Sequence, residues 1–357
     1  MRFPRASLVL LLLVSSLACI AQDQLRITSS TPLPQEGEHN LGFGWDATRL
    51  GCAQDGSFLI RAAHGIERVS PFIMRVSANG TLLWTVDSQN VPGLGKTDLT
   101  DFAPGTGGEL YLLVKRIAHE YSYVDDDGRR VLGGRADHPD EWLVRYDAEG
   151  RFVDKKLIPA AHEVHIAALP SGDIFVLSYT IQGPRIRVGD APHPYAVLAG
   201  IFSKEGVLLH KVIPADFFLD NISGRPRRPL TTPLPMLGPD GNVYVVEEGK
   251  TPALAVISPD GTVLRSLALA IPKGKTLDYS RLFGQNLVAR MMTYPVPPGS
   301  ALAPSLAEFD TETGRMIANY STTKTGWWPA CDEGSGLTGI NPQTNAFDIL
   351  EPIQQIK

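Results

Sequence analysis

Cysteine is scarce in this chain. There are three in 357 residues; Cys19 falls in an apolar N-terminal segment and only Cys52 and Cys331 lie beyond it. No Cys-x-x-Cys pair occurs, which excludes a zinc ribbon or a thioredoxin-type redox site. Past the first 21 residues no apolar run approaches the ~20 residues that a membrane-spanning helix needs. No stretch sustains apolar residues at i, i+3, i+4 and i+7, so almost no helix is expected. A Walker-type phosphate loop is also missing. Charge of one sign is not in large excess: 33 Lys and Arg against 38 Asp and Glu give −5, which argues against a nucleic-acid backbone as partner. The rest of the composition, 43% hydrophobic and 20% charged, is that of a globular chain and excludes wholesale disorder.

Turn formers are in excess. The chain has 34 glycines and 28 prolines in 357 residues, against a usual combined share of roughly 12%, which favours short strands joined by many turns. At the N-terminus, Arg2 and Arg5 precede an apolar run over residues 8–14 and then small residues through Ala21. A basic start, a short apolar middle and a small-residue end make a secretory signal peptide over residues 1–21, leaving 22–357 as one domain exported to the periplasm or the extracellular space. Cleavage after Ala21 puts Cys19 and Ala21 at the −3 and −1 positions. The alternative is a lipid anchor on Cys19, because Ser16-Leu17-Ala18-Cys19 is similar to a lipobox, although Leu17 stands two residues before the cysteine rather than three. In an oxidising compartment, Cys52 and Cys331, set in the related contexts GCAQDGS and ACDEGSG, are expected to pair; two separate buried thiols are the alternative.

One unit recurs along the whole chain: a Gly turn followed by a β-rich run. It reads AQDGSFLIRAA from Ala53, TGGELYLLVK from Thr106, LPSGDIFVLSY from Leu169 and GPDGNVYVVEE from Gly238, with weaker copies FGQNLVARMM from Phe283 and DEGSGLTGI from Asp332. A second unit follows each of the first five: VSANGTLLWTV, YDAEGRFVDKKL, FSKEGVLLHKV, SPDGTVLRSL and FDTETGRMIANY. The spacing of the first unit, roughly 56 residues, is that of a repeat array. Asp-Gly, Asn-Gly and Glu-Gly supply the positive φ of tight hairpins, and the flanking Val, Ile, Tyr, Phe and Leu suit a pleated, buried surface. Two hairpins per period make a four-stranded antiparallel unit that cannot bury both faces alone, and radial packing of such units solves this. The expected fold is therefore all-β, a six-bladed β-propeller of four-stranded antiparallel blades, with five or seven blades as alternatives. The last blade, with its turn near Gly334 and a strand around residues 347–350, lacks a fourth strand; Gln24-Leu25-Arg26-Ile27-Thr28 is expected to complete it and close the ring.

LPSGDIFVLS, GPDGNVYVVEE and SPDGTVLRSL resemble the repeats of secreted six-bladed propellers of the NHL/TolB-like kind. The resemblance implies strands and turns over nearly all the mature chain and assigns no chemistry, since such folds serve interaction modules, lactonases, lyases and sensors alike.

The Gly turns all belong to one face of such a propeller. The unusual sequence belongs to the other: residues 116–141 with their HEYSYVDDDGRR core, 182–194 and 216–235. Insertions gathered on one face mark a binding face. The inter-blade connections there bring Trp45 and Asp46, Lys96 and Asp98, then His162, Glu163 and His165 toward the mouth of the central channel. Arg227 and Arg228, then Asp278, Tyr279 and Arg281, then Trp327 and Trp328 follow from the later blades. Charges of both signs with aromatics suit a pocket for a small molecule or peptide; ion pairs that only hold blades together are the plainer reading.

Individual motifs carry little. In His162-Glu163-Val164-His165, strand alternation sends the two histidines to opposite faces. Asp125-Asp126-Asp127-Gly128 lacks the ligand spacing of a calcium loop and reads as a solvated hairpin tip. Gly42 to Ala47 matches G-x-G-x-x-A without the flanking strand and helix of a dinucleotide site, and Gly334-Ser335-Gly336 is not a nucleophile elbow. Asn79, Asn221 and Asn319 begin glycosylation sequons. Trp327-Trp328 is the most informative pair, since one ring can enter the core while the other faces the channel. The expected function is non-catalytic binding of a small molecule, peptide or envelope protein by a monomer, without cofactor. The alternative is a metal-assisted lactonase or lyase holding one divalent cation such as calcium at the channel mouth. Glu163 and Asp98 are its candidate ligands, and no asparagine matches.

Overall fold

The computed structural model of the protein describes residues 22–33, 50–53, 55–64, 68–77, 79–124, 130–136, 141–158, 162–180, 187–188, 191–192, 196–212, 235–248, 251–293, 304–321, 327–331, 337–341, 344 and 346–353. Every regular element among them is a β-strand, and no helix among them is long and apolar enough to cross a membrane. The first sheet pairs Leu50–Cys52, Phe58–His64, Arg68–Val76 and Leu82–Asp87 in chain order. The second pairs Gly95–Pro104, Leu110–Val124, Glu141–Tyr146 and Phe152–Ile158. The third is His162–Ala168, Ile174–Thr180, Ala196–Phe202 and Leu208–Val212; the fourth is Pro235–Leu237, Val243–Glu247, Ala253–Ile257 and Val263–Ala268. An eight-stranded sheet follows, in the order Lys275–Phe283, Asn286–Thr293, Ser305–Asp310, Met316–Ser321, Gln22–Pro32, Ala346–Ile353, Leu337–Asn341 and Trp328–Pro329. The result is a propeller-like arrangement of small antiparallel four-stranded sheets.

The packing follows from a period of two along the second strand of each sheet, which is buried on both faces and so reads as a continuous apolar run. Leu110, Leu112 and Val114 pack against Leu59 and Ile73 of the first sheet, while Tyr111 and Leu113 pack against Ile166, Ile174 and Val176 of the third. Phe175 and Leu177 turn the other way, onto Val243 and Val245 of the fourth. Tyr244 and Val246 then meet Leu287 and Ala289, and Val288 meets Trp327, Leu337 and Leu350. Phe58 and Ile60 of the first sheet pack with Cys331, Ile340 and Phe347, the Phe58 and Phe347 rings stacked 5.0 Å apart.

One turn serves most hairpins. Around Gly56, Gly80, Gly108, Gly150, Gly172, Gly206, Gly241 and Gly261 the glycine amide donates to the carbonyl three residues back, and each glycine has positive φ, as a type I turn closing with a left-handed residue requires. In the weak copy from Phe283 the turn falls at Gly284, with φ 56°; Gly334 lies outside the described residues.

Chain ends meet as the sequence pattern required. Gln22–Pro32 runs antiparallel to Ala346–Ile353, from Gln24 opposite Ile353 to Pro32 opposite Ala346. Fully buried Asp348 locks this edge: Ser30 Oγ donates to its Oδ1 at 2.6 Å and Trp327 Nε1 to its Oδ2 at 2.8 Å. A disulfide joins Cys52 in the first sheet to Cys331, with Cα atoms 5.3 Å apart.

Residues 116–141, read from the sequence as an insertion on the face opposite the Gly turns, are largely strand. The strand from Leu110 runs on to Val124 and pairs with Arg130–Ala136, from Ile117 opposite Ala136 to Val124 opposite Arg130. This segment is therefore a β-ribbon continuing the second strand away from the Gly-turn face. Its HEYSYV half is strand-forming by alternation, a signal that the acidic tip at residues 125–128 obscures. That tip lies outside the described residues, as do most of 182–194 and nearly all of 216–235.

Candidate functional site

The first strands of the sheets surround a cavity of about 110 Å³, lined by Leu50–Cys52, residues 102–106, 166–168, Pro235–Leu237 and residues 281–282. These segments lie toward the ends of the first strands nearest the Gly turns, so the cavity occupies the turn-side half of the channel rather than the mouth where the sequence-derived residues were expected to gather. Arg281 is the one charged residue among the described residues that line the cavity, and most of the others are apolar.

Arg281 is 5% exposed. Its Nη1 donates to the Ser280 carbonyl at 2.8 Å and its Nη2 to the Leu50 carbonyl at 3.2 Å, while buried Nε has no acceptor. Tyr279 covers one face of the guanidinium, 4.3 Å from ring centroid to Cζ. The Tyr279 ring in turn meets Trp328 edge-on at 4.9 Å, and Arg290 lies 3.9 Å over the Trp328 ring. Two touching rings thus lie between two cations in one assembly, and each such contact contributes on the order of 0.5–2 kcal/mol. Tyr279 is the one non-glycine residue with positive φ, 59°, among the described residues. It is the extra residue of a β-bulge, the register slipping between Asp278 opposite Arg290 and Ser280 opposite Ala289. A bulge re-aims the side chain it carries, and a left-handed tyrosine costs on the order of 1–3 kcal/mol that the surrounding contacts must offset.

The same device recurs in the second and third sheets. In the second, the register slips between Leu99 and Asp101; in the third, it slips between His162 and His165. The strict alternation expected across His162 to His165 therefore fails. His165 is brought to Asp101, its Nδ1 3.3 Å from Asp101 Oδ2, which also accepts the Ile166 amide at 2.8 Å. A second charged group sits in the same sheet, about two positions along the register from Asp101. Glu141 is wholly buried, with Lys115 Nζ 3.3 Å from its Oε1, near enough for an ion pair but off the line of a hydrogen bond. Burial pushes its carboxyl up to about 7, against the opposing pull of Lys115 and Thr100 and with a small added push from Asp98.

Of the sequence-derived residues, Tyr279, Arg281 and Trp328 come together, and only Arg281 lines the cavity. Trp327 is 2% exposed and bonded to Asp348, a core residue of the last strands and not a channel residue. Lys96 and Asp98 are exposed at the start of their strand. His162 and Glu163 belong to a strand but their side chains, like all of Trp45, Asp46, Arg227 and Arg228, lie outside the described residues, and the side chain of Asp278 does too. Asp101, Glu141 and Arg290 were missed, because a bulge or a buried carboxylate leaves no mark in local composition. Among the described residues no three His, Cys, Asp or Glu side chains gather as a cation site.

No family model matches this chain, and no curated protein matches it. Among solved structures it is similar to a member of the DUF4221 family from Bacteroides vulgatus, at 11% identity and TM-score 0.56, covering 93% of this chain and 100% of that one. A protein of unknown function from Bacteroides caccae aligns at 11% identity and TM-score 0.46 over 84% of this chain and 94% of the other. The β-propeller domain of the Trilobed protease from Pyrococcus furiosus aligns at 8% identity and TM-score 0.39 over 68% of this chain and 62% of the other. At these identities the likeness to the Bacteroides vulgatus structure shows a shared all-β fold and nothing of function.

Proposed function

We propose that the protein is an exported, non-catalytic six-bladed β-propeller of the NHL/TolB-like kind, a single domain from residue 22 onward, that binds a small molecule, peptide or envelope protein through its central channel. Two features support six blades. The eight-stranded sheet divides into two four-stranded halves whose one strand pairing, among the described residues, is where Gln22–Gln24 run parallel to Asn319–Ser321. The core clusters also link successive sheets in a cycle that returns from Phe347 to Phe58. Export draws support from the Cys52–Cys331 bond, which persists in oxidising compartments.

The observation that carries the binding reading is the axial cavity with a buried guanidinium in an apolar wall, the mixture of apolar lining and few polar groups that ligand sites use. The ribbon of Ile117–Val124 and Arg130–Ala136 continues the second strand on the side away from the Gly turns, the side where this reading puts the channel entrance. The test is thermal denaturation of the chain from residue 22 against small anionic, neutral and cationic compounds, with and without a chelator. A saturable rise with at least one class and no response to chelation supports it, because a ligand that binds the folded state stabilises it by mass action. A fall of several degrees on chelation, or no response to any class, overturns it.

A further inference from the structure

An arginine is always charged, and taking an ion out of water without a counter-ion is costly. Arg281 is 5% exposed, and among the described residues no carboxylate meets it. Among the described residues its partners are two backbone carbonyls and the Tyr279 ring. Two of its five N–H donors are used, and Nε has no acceptor. The cavity it lines has no second charge among its described walls, whose side chains include Leu50, Ile166, Met236 and Leu282. We propose that the axial cavity binds a small monocarboxylate, its carboxylate against the Arg281 guanidinium and its short hydrocarbon body against those apolar walls.

Three observations select this class. One cation calls for one negative charge, so a phosphate dianion would leave charge uncompensated. A planar guanidinium with free donors on adjacent nitrogens matches a planar carboxylate. The volume, about 110 Å³, is below the ~300 Å³ and more of drug-sized ligand sites, which favours a body of a few carbons. The bulge at Tyr279 gives independent support. Tyr279 combines positive φ with a ring centroid 4.3 Å from the Arg281 Cζ, and backbone strain of this kind concentrates at ligand sites.

The inference rests on the channel-binding reading above but can fail separately from it. Acetate, propionate and butyrate are titrated into the chain from residue 22, with thermal denaturation and Trp fluorescence as readouts. Butyramide, inorganic phosphate and sodium chloride are the controls. The expected result is saturable binding of at least one carboxylate, roughly tenfold or more tighter than butyramide, since a charged hydrogen bond contributes about 1.5–3 kcal/mol. Arg281→Met should abolish it and Arg281→Lys weaken it. If either variant fails to fold, the carboxylate-to-amide ratio of the unaltered protein decides. No saturable carboxylate binding, equal binding of butyramide, or tighter binding of phosphate overturns the inference. The same holds if carboxylate binding is retained in a folded Arg281→Met. A neutral or cationic compound that binds while all carboxylates fail would sink this inference and leave the channel-binding reading standing.

Discussion

Removing the Cys52–Cys331 bond should cost this fold a large part of its stability without changing its native shape. The cysteines are 279 residues apart, so the bond denies the unfolded chain most of its freedom. Loop entropy for that separation comes to about 5–6 kcal/mol at 25 °C in the chain-entropy treatment, and residual structure in the unfolded state reduces it, so a loss of about 4 kcal/mol is expected. Against a total of roughly 5–15 kcal/mol for a typical domain, this is decisive. The native state survives because the same closure is made independently by Gln22–Pro32 on Ala346–Ile353 and by the cluster around Phe58 and Phe347. Cys52→Ala, Cys331→Ala and the double variant should be compared by urea denaturation. Each single should lose nearly the full amount and the double scarcely more, because either change alone breaks the one bond. Cys331→Ala carries a small extra loss, its sulfur being buried beside Leu50, Met74 and Phe347. The denaturant slope should rise as the unfolded chain expands. A double variant within about 1 kcal/mol of the parent, or singles whose losses add, would refute the reasoning.

Glu141→Gln tests the buried carboxyl. Its value is about 7 in the folded chain against 4.5 when exposed, so the folded state holds this proton more tightly. Stability from this group is therefore greatest below 4.5, falls as pH rises, and the full cost is present above about 7. The variant should gain up to about 3 kcal/mol over the parent at pH 8.5 and little at pH 4.5, read as the pH dependence of the difference in melting temperature; a difference that does not vary with pH would contradict it. Arg75→Met breaks a clasp between the first two sheets on the turn face. Arg75 Nε donates to Ser57 Oγ, Nη1 to the Gly108 and Ala148 carbonyls, and Nη2 to Asp55, and a loss of about 2–4 kcal/mol in chemical denaturation is expected. Asp348→Ala strands the Trp327 N–H and releases Ser30. It should cost about 2–4 kcal/mol and speed amide exchange across residues 24–32, whereas unchanged exchange there would show that the strand is held by backbone pairing alone.

Much of the architecture was written in local pattern. Gly turns at a steady spacing, each followed by a run such as LLV or YVV, dictate hairpins buried on both faces, and an orphan alternating segment at Gln24 to Thr28 dictates where the last sheet finds its edge. The cysteine pairing was legible for the same reason, since chain ends that share a sheet bring Cys52 and Cys331 together. The site was legible only as a set of residue types. Tyr279, Arg281 and Trp328 were in that set, yet nothing local foretold that Arg281 would face the channel without a carboxylate. For Trp327-Trp328 the sequence indicated that one ring could enter the core but not which, and the buried one is Trp327.

The sequence by itself determined the strand-and-turn grammar, because positive φ at glycine and a period of two are properties of a few consecutive residues. Tertiary structure alone decided which charges are buried and which are paired. The bulges at Tyr279, between Leu99 and Asp101, and between His162 and His165 each shift a side chain from one face to the other. Whether that move meets a partner, as His165 meets Asp101, or an apolar cavity, as at Arg281, depends on a neighbouring sheet that lies tens to hundreds of residues away along the chain.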